Sequence, residues 1–142
     1  MTLFANIARR RPADLLLAAE AVALLAFFRL CLVLFPVKKI IRAITGTQPL
    51  KRLARQPSST ALRVRWAIEA ATRNSPAEFV CFPQTLAGYT MLRLRRVPTT
   101  MVYGVARSPS GSLIAHTWLT LGDRIVLGGE GSAAFTAVER WT

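Results

Sequence analysis

The order of the hydrophobic periodicities predicts an α+β fold, with N-terminal helices followed by an antiparallel sheet. Three observations carry this. Up to Leu94 the apolar residues recur every three or four positions or run unbroken, as helices require. After Val97-Pro98 the spacing changes to two, as strands require. Ser108-Pro109-Ser110-Gly111 and Gly122-Asp123 are tight-turn sequences between strand-like runs, so successive strands run antiparallel.

The first element is an apolar helix over Leu15–Phe35. Pro12 suits its first turn, and Asp14 complements its dipole. Glu20 and Arg29 interrupt it about 180° apart at 100° per residue, so they share no polar stripe. Two charges near the middle of a membrane span would cost about 2.5–3.5 kcal/mol each. Docking on the domain or on a partner is therefore expected. Arg9-Arg10-Arg11 and Lys38-Lys39 flank the helix and keep a membrane-surface contact open. Pro36 ends it. A short basic helix over Val37–Thr45 follows, with Gly46 as its C-cap. Residues 47–57 read as a basic connection carrying Lys51, Arg52 and Arg55.

Ser58-Ser59-Thr60 offers an N-cap to the next helix, whose apolar side comprises Leu62, Val64, Trp66, Ala67, Ala70 and Ala71. Asn74-Ser75-Pro76 stops it. Cys81 then stands just ahead of a helix with Pro83 in its first turn and Ala87, Met91 and Leu94 inward. Gly88 costs that helix about 1 kcal/mol relative to Ala, which points to a close approach there. Arg93, Arg95 and Arg96 suit the last turn. Thr99–Val105, Leu113–Leu121 and Arg124–Leu127 read as three strands of a meander, with a fourth at Phe135–Val138. Residues 1–57 are thus expected to form a helical arm with a basic segment and linker, and residues 58–142 the core.

The chain has 142 residues, 52% hydrophobic content and a mean hydropathy of +0.34. This excludes a disordered protein. The net charge of +12 is uneven: residues 1–66 hold 12 Lys/Arg and 2 acids (+10), and residues 67–142 hold 7 and 5 (+2). The N-terminal half is either a solvated basic face or a surface for an anionic partner. Nucleic acid is not the expected partner, because the basic residues alternate with aliphatic rather than stacking aromatic side chains. The two cysteines, Cys31 and Cys81, are expected as free thiols in a reducing, cytoplasmic compartment, with membrane association open.

The chemistry centres on Cys81 and His116, the latter the single histidine of the chain. A cysteine at a helix N-terminus gains thiolate character, and an imidazole can act as its base. Alternation places Ile114, His116, Trp118 and Thr120 on one face, which is expected to pack on the Cys81 helix. Taken alone, these features more often mean a core cysteine and a half-buried strand histidine than a catalytic pair. No CxxC, HxxxH, G-x-G-x-x-G or Walker spacing occurs, so neither metal nor cofactor is expected.

Several fragments together resemble one family. They are RVRWAIEAA (63–71), the C-x-P-x-x-L-A of Cys81 to Ala87, MLRLRRVPT (91–99), Gly104-Val105, AHTW (115–118) and VLGG (126–129). In this order they are similar to the leader peptidases of lasso-peptide biosynthesis, which are transglutaminase-like (papain-like) cysteine proteases. The likeness covers about residues 60–142, and the apolar arm with its basic segment also looks like that family.

The resemblance implies a Cys–His–acid triad with Cys81 as nucleophile and His116 as base. The family's third member would fall at Gly128. Asp123 is the favoured substitute and Glu130 the other, with a backbone carbonyl or no orienting group also open. The implied activity is removal of the leader from a ribosomally made precursor in the cytoplasm. The implied partners are that precursor, a macrolactam-forming cyclase and a winged-helix leader-recognition protein. Residues 1–60 show no alternating strands for that recognition domain, so it is expected in trans. The rival expectation is a non-catalytic, basic membrane-surface or nucleic-acid-associated binding protein.

Overall fold

The structure, a computed structural model, describes residues 11–45, 54–73 and 81–142. Four helices, α1 (Pro12–Leu34), α2 (Val37–Thr45), α3 (Pro57–Arg73) and α4 (Cys81–Leu94), precede four strands. The strands are β1 (Thr100–Arg107), β2 (Leu113–Leu121), β3 (Arg124–Leu127) and β4 (Thr136–Trp141), with one turn of 3-10 helix at Ser132–Ala134. The fold is α+β, as the periodicities predict.

Local chemistry explains most boundaries. Phe35 precedes Pro36 and takes an extended conformation (φ −132°, ψ 149°), which ends α1. Helix α3 starts earlier than expected. The Thr60 N–H donates to the Gln56 carbonyl at 3.1 Å, so Pro57 fills the first turn and Ser58-Ser59-Thr60 lie inside the helix rather than capping it. Gly46, Lys51, Arg52 and Asn74-Ser75-Pro76 lie outside the described residues.

The sheet order is β3-β2-β1-β4, antiparallel throughout. Strands β1 to β3 form the expected meander. Strand β4 does not extend it: the chain crosses back and pairs β4 with β1, closing the other edge. Tyr103 lies opposite Thr117, and Gly104 opposite His116.

Helix α4 lies on one face of this sheet, with α1 and α3 packed on α4 and on each other. Leu25, Phe28, Ile68, Leu86, Met91 and Leu119 are fully buried in the shared core. At Gly88 an added Cβ would stand 2.8 Å from Leu127 Cδ2 and 3.0 Å from Leu119 Cδ1. The missing side chain is what lets the sheet leucines press onto α4. Two expected core residues are exposed instead, Leu62 on α3 and Leu94 at the end of α4.

Helix α1 is long and apolar enough to cross a membrane by length and composition. Here it is docked. Leu17, Ala21, Leu25 and Phe28 form its buried stripe. Its two acids add ion pairs to the helices it packs on. Asp14 accepts from Arg63 of α3 at 3.0 Å, and Glu20 from Arg95 of α4 at 2.9 Å. A cation of the last turn of α4 thus has a structural partner 75 positions away.

Candidate active site

Helix α4 begins at Cys81, so the cysteine stands at the helix end where main-chain N–H groups have no intrahelical partner. Pro83, in the same turn, contributes no N–H of its own. One turn on, the Thr85 hydroxyl donates to the Cys81 carbonyl at 2.7 Å and meets the Thr117 hydroxyl at 2.8 Å. Both threonines are buried. They fasten the first turn of α4 to strand β2 at the residue next to His116.

Strand β3 ends at Leu127, which pairs with Leu119. Beyond that point β2 has no strand neighbour on this side. Gly128 turns the chain back across the free edge with φ +76°, a conformation that favours glycine. An added Cβ there would stand 2.8 Å from the Thr117 carbonyl oxygen and 3.2 Å from Trp118 Cα. The result is a cleft of about 230 Å³ lined by Cys81, Gln84, Thr85, His116, Gly128 and Glu130, among others.

Within this frame His116 is held by the main chain. Its Nε2 lies 2.7 Å from the Gly128 carbonyl oxygen, twelve residues on. A carbonyl only accepts, so Nε2 carries the hydrogen, and the neutral ring keeps its lone pair at Nδ1. The imidazole stacks on Trp118 (centroids 5.8 Å apart, 26° between planes) and meets Phe135 at 5.2 Å. Trp118 in turn covers Gly104, where an added Cβ would strike the indole at 2.8 Å.

One expectation needs correction. The face of β2 that packs on α4 carries Thr117 and Leu119, not His116 and Trp118, because the threonine pair and the gap at Gly88 seat the leucine face there. Tyr103, opposite Thr117, confirms the orientation by its ring contact with Phe82 of α4. His116 therefore belongs to the far face, and the shared cleft with Cys81 lies at the free edge of β2. Asp123, the favoured third member, is exposed in the β2–β3 turn and has no hydrogen bond to His116. Glu130 does line the cleft, but it also makes no bond to the ring.

Among the described residues no hydrogen bond joins the Cys81 thiol to the imidazole. Cys81 and Cys31 are both free and half-buried. No group of three His, Cys, Asp or Glu side chains among these residues could hold a metal ion. The residue that sequence reasoning missed is Thr85. Its signal was present: a threonine one helical turn after the cysteine, matched by a threonine directly after the histidine.

In comparisons with known proteins, a family model described as the transglutaminase-like superfamily matches residues 21–140. No curated protein and no solved structure matches the chain.

Proposed function

This chain belongs to the transglutaminase-like superfamily, which includes cysteine peptidases, and from that premise we propose that it is a cysteine peptidase that removes the leader of a lasso-peptide precursor. The observation that carries the reading is the shared cleft. The chain's single histidine and a cysteine at a helix start line the same opening at a free sheet edge. The Gly128 carbonyl takes the place of the orienting acid. It holds Nε2–H and leaves Nδ1 as the base, the tautomer this chemistry needs.

In the proposed reaction Nδ1 takes the thiol proton, and Sγ attacks the carbonyl carbon of the scissile peptide bond. The developing oxyanion is stabilised by main-chain N–H groups at the start of α4, with Gln84 at the cleft wall as a second donor. The C–N bond then breaks, the imidazolium protonates the departing amine, and the leader remains as a thioester on Cys81. Water, deprotonated by His116, hydrolyses the thioester and regenerates the thiol. The freed α-amine is the nucleophile that a macrolactam-forming cyclase would use. Thiol and imidazole come into hydrogen-bond contact only when substrate fills the cleft, a common feature of substrate-free sites. A separate winged-helix recognition protein would hold the rest of the leader and raise its effective concentration at Cys81.

The test is cleavage of the cognate precursor, followed by mass spectrometry, with and without the recognition protein. Cys81→Ala and His116→Ala are expected to abolish cleavage while remaining folded, and Cys31→Ala to keep nearly full activity. An active Cys81→Ala protein would end the proposal. The rival reading, a binding protein without catalysis, has one observation in its favour: the imidazole is packed between Trp118 and Phe135 on the far face of the sheet. Under that reading all three variants behave alike, and Cys81 alkylates like an ordinary thiol.

A further inference from the structure

The outer face of α1 is the largest feature that the peptidase reading does not use. It is apolar along its length, with Arg29 exposed at one margin. Leu16, Val22, Phe27, Leu30 and Val33 are each more than half exposed, Val33 by 78%. At 100° per residue the exposed positions cover about half the helix circumference, opposite the buried stripe of Leu17, Ala21, Leu25 and Phe28. A continuous exposed apolar face of this kind marks an interaction surface.

Charge decides which occupant it fits. Residues 11–45 hold five basic and two acidic side chains. Both acids, Asp14 and Glu20, are committed to ion pairs with Arg63 and Arg95. The outer face therefore carries no anion. Basic side chains stand beyond both ends of the helix: Arg11 ahead of it, and Lys38, Lys39 and Arg42 on α2 after it, all exposed, with Lys38 also bordering a groove shared with Phe82 and Tyr103. A second copy of this chain would bring like charges together. A folded protein partner would find a convex helix with almost no donors or acceptors to fix its register, whereas protein interfaces carry about one hydrogen bond per 100–200 Å². A bilayer needs only apolar depth and cations at headgroup level, and this face offers both.

We infer that α1 lies in the plane of an anionic membrane surface, with its outer face in the acyl boundary and α2 at the headgroups. It does not span the bilayer. Crossing would strip the buried stripe from α3 and α4 and break both ion pairs, leaving Arg63 and Arg95 without their carboxylates. The helix is about 34 Å long at 1.5 Å per residue, which gives a broad footprint parallel to the membrane. The site at the β2 edge takes no part in this contact, so the inference stands or falls independently of the peptidase reading.

The experiment is flotation of the full chain with vesicles of phosphatidylcholine, alone or doped with phosphatidylglycerol. Binding to the anionic vesicles is expected, with little to the neutral ones. Replacing both lysines (Lys38→Gln with Lys39→Gln) should weaken it about 25-fold, from about fivefold per cation near an anionic surface. Phe27→Asp with Leu30→Asp should abolish it. Both positions are exposed, so circular dichroism should be unchanged, and alkaline carbonate should release the bound protein. Four results overturn the inference: no flotation with anionic vesicles; flotation indifferent to the Phe27 and Leu30 changes; retention after carbonate, which means a span; or a dimer by light scattering that ignores lipid.

Discussion

Replacing Gly128 by alanine tests the main-chain contact that holds His116. Gly128 combines two constraints, and a control separates them. Its φ of +76° costs an L-residue about 1–2 kcal/mol. Its Cβ would also stand 2.8 Å from the Thr117 carbonyl oxygen, a main-chain atom that cannot rotate away, and 3.2 Å from Trp118 Cα. Relieving that overlap means moving the Gly128 strand end off β2, at about 1–3 kcal/mol. Gly122 has the same kind of backbone (φ +61°) with nothing within 4 Å of its Cβ position, so Gly122→Ala measures the first cost alone.

At about 2–4 °C per kcal/mol for a chain of this size, Gly122→Ala should lower Tm by roughly 2–8 °C, and Gly128→Ala by roughly twice that. The displaced carbonyl also releases Nε2–H. A hydrogen bond to a ring that becomes charged during turnover is worth about 1.5–3 kcal/mol, so cleavage by Gly128→Ala should slow about ten- to a hundred-fold beyond any effect of Gly122→Ala. Thermal melts and single-turnover precursor cleavage provide the two readouts. Nitrogen NMR of His116 should report the Nε2–H tautomer in the parent and a mixture in the variant. If the two glycine variants match in Tm and in rate, the Gly128 contact does not orient the imidazole.

The remaining expectations concern the surroundings of that contact. Thr85→Val leaves the buried Thr117 hydroxyl without its side-chain partner, and should destabilise the fold by about 1–3 kcal/mol in a denaturant melt; an unchanged midpoint would mean that the pair does not anchor α4. Asp123→Asn should leave cleavage within about twofold of the parent, the scale of a surface substitution. Glu130→Gln, at the cleft wall, should have the larger effect, and the reverse order in a rate assay would restore Asp123 as the orienting acid. Burial raises the Tyr89 phenol above its ordinary 10.0, with Arg93 opposing through its charge and its hydrogen bond. Above that pH the unfolded chain loses this proton while the folded chain keeps it, so stability falls as pH rises through the unfolded value. Tyr89→Phe should remove that part of the alkaline slope, seen as a difference between the two proteins' melts across that range.

The helices and all four strands were legible because each is a local pattern. Val37–Thr45, Leu113–Leu121 and Arg124–Leu127 follow directly from periodicity and turn chemistry. The exposure of Leu62 and Leu94 was not legible. The apolar stripe of a helix was extended past the neighbour that buries it, and only tertiary packing decides where that neighbour ends. The pairing of β4 with β1 is long-range, and no local signal distinguishes it from continuation of the meander.

The third role at the site was legible only as a set of alternatives: Asp123, Glu130, a backbone carbonyl or no orienting group. Asp123 and Glu130 are the carboxylates near the required spacing, whereas a main-chain acceptor leaves no mark in the pattern of side chains. The position a dozen residues after the histidine is a glycine, which offers no side chain for the role. In the fold it is the strand end at which the chain turns back, and a residue without Cβ is what brings a carbonyl oxygen within 2.7 Å of Nε2. An acid there would need a side chain that the 2.8 Å approach to Thr117 excludes. The absence of a carboxylate at 128 and the presence of a main-chain acceptor therefore have one steric cause. The same approach puts a limit on redesign: Gly128→Asp would add the missing acid and in the same step displace the strand end that positions His116.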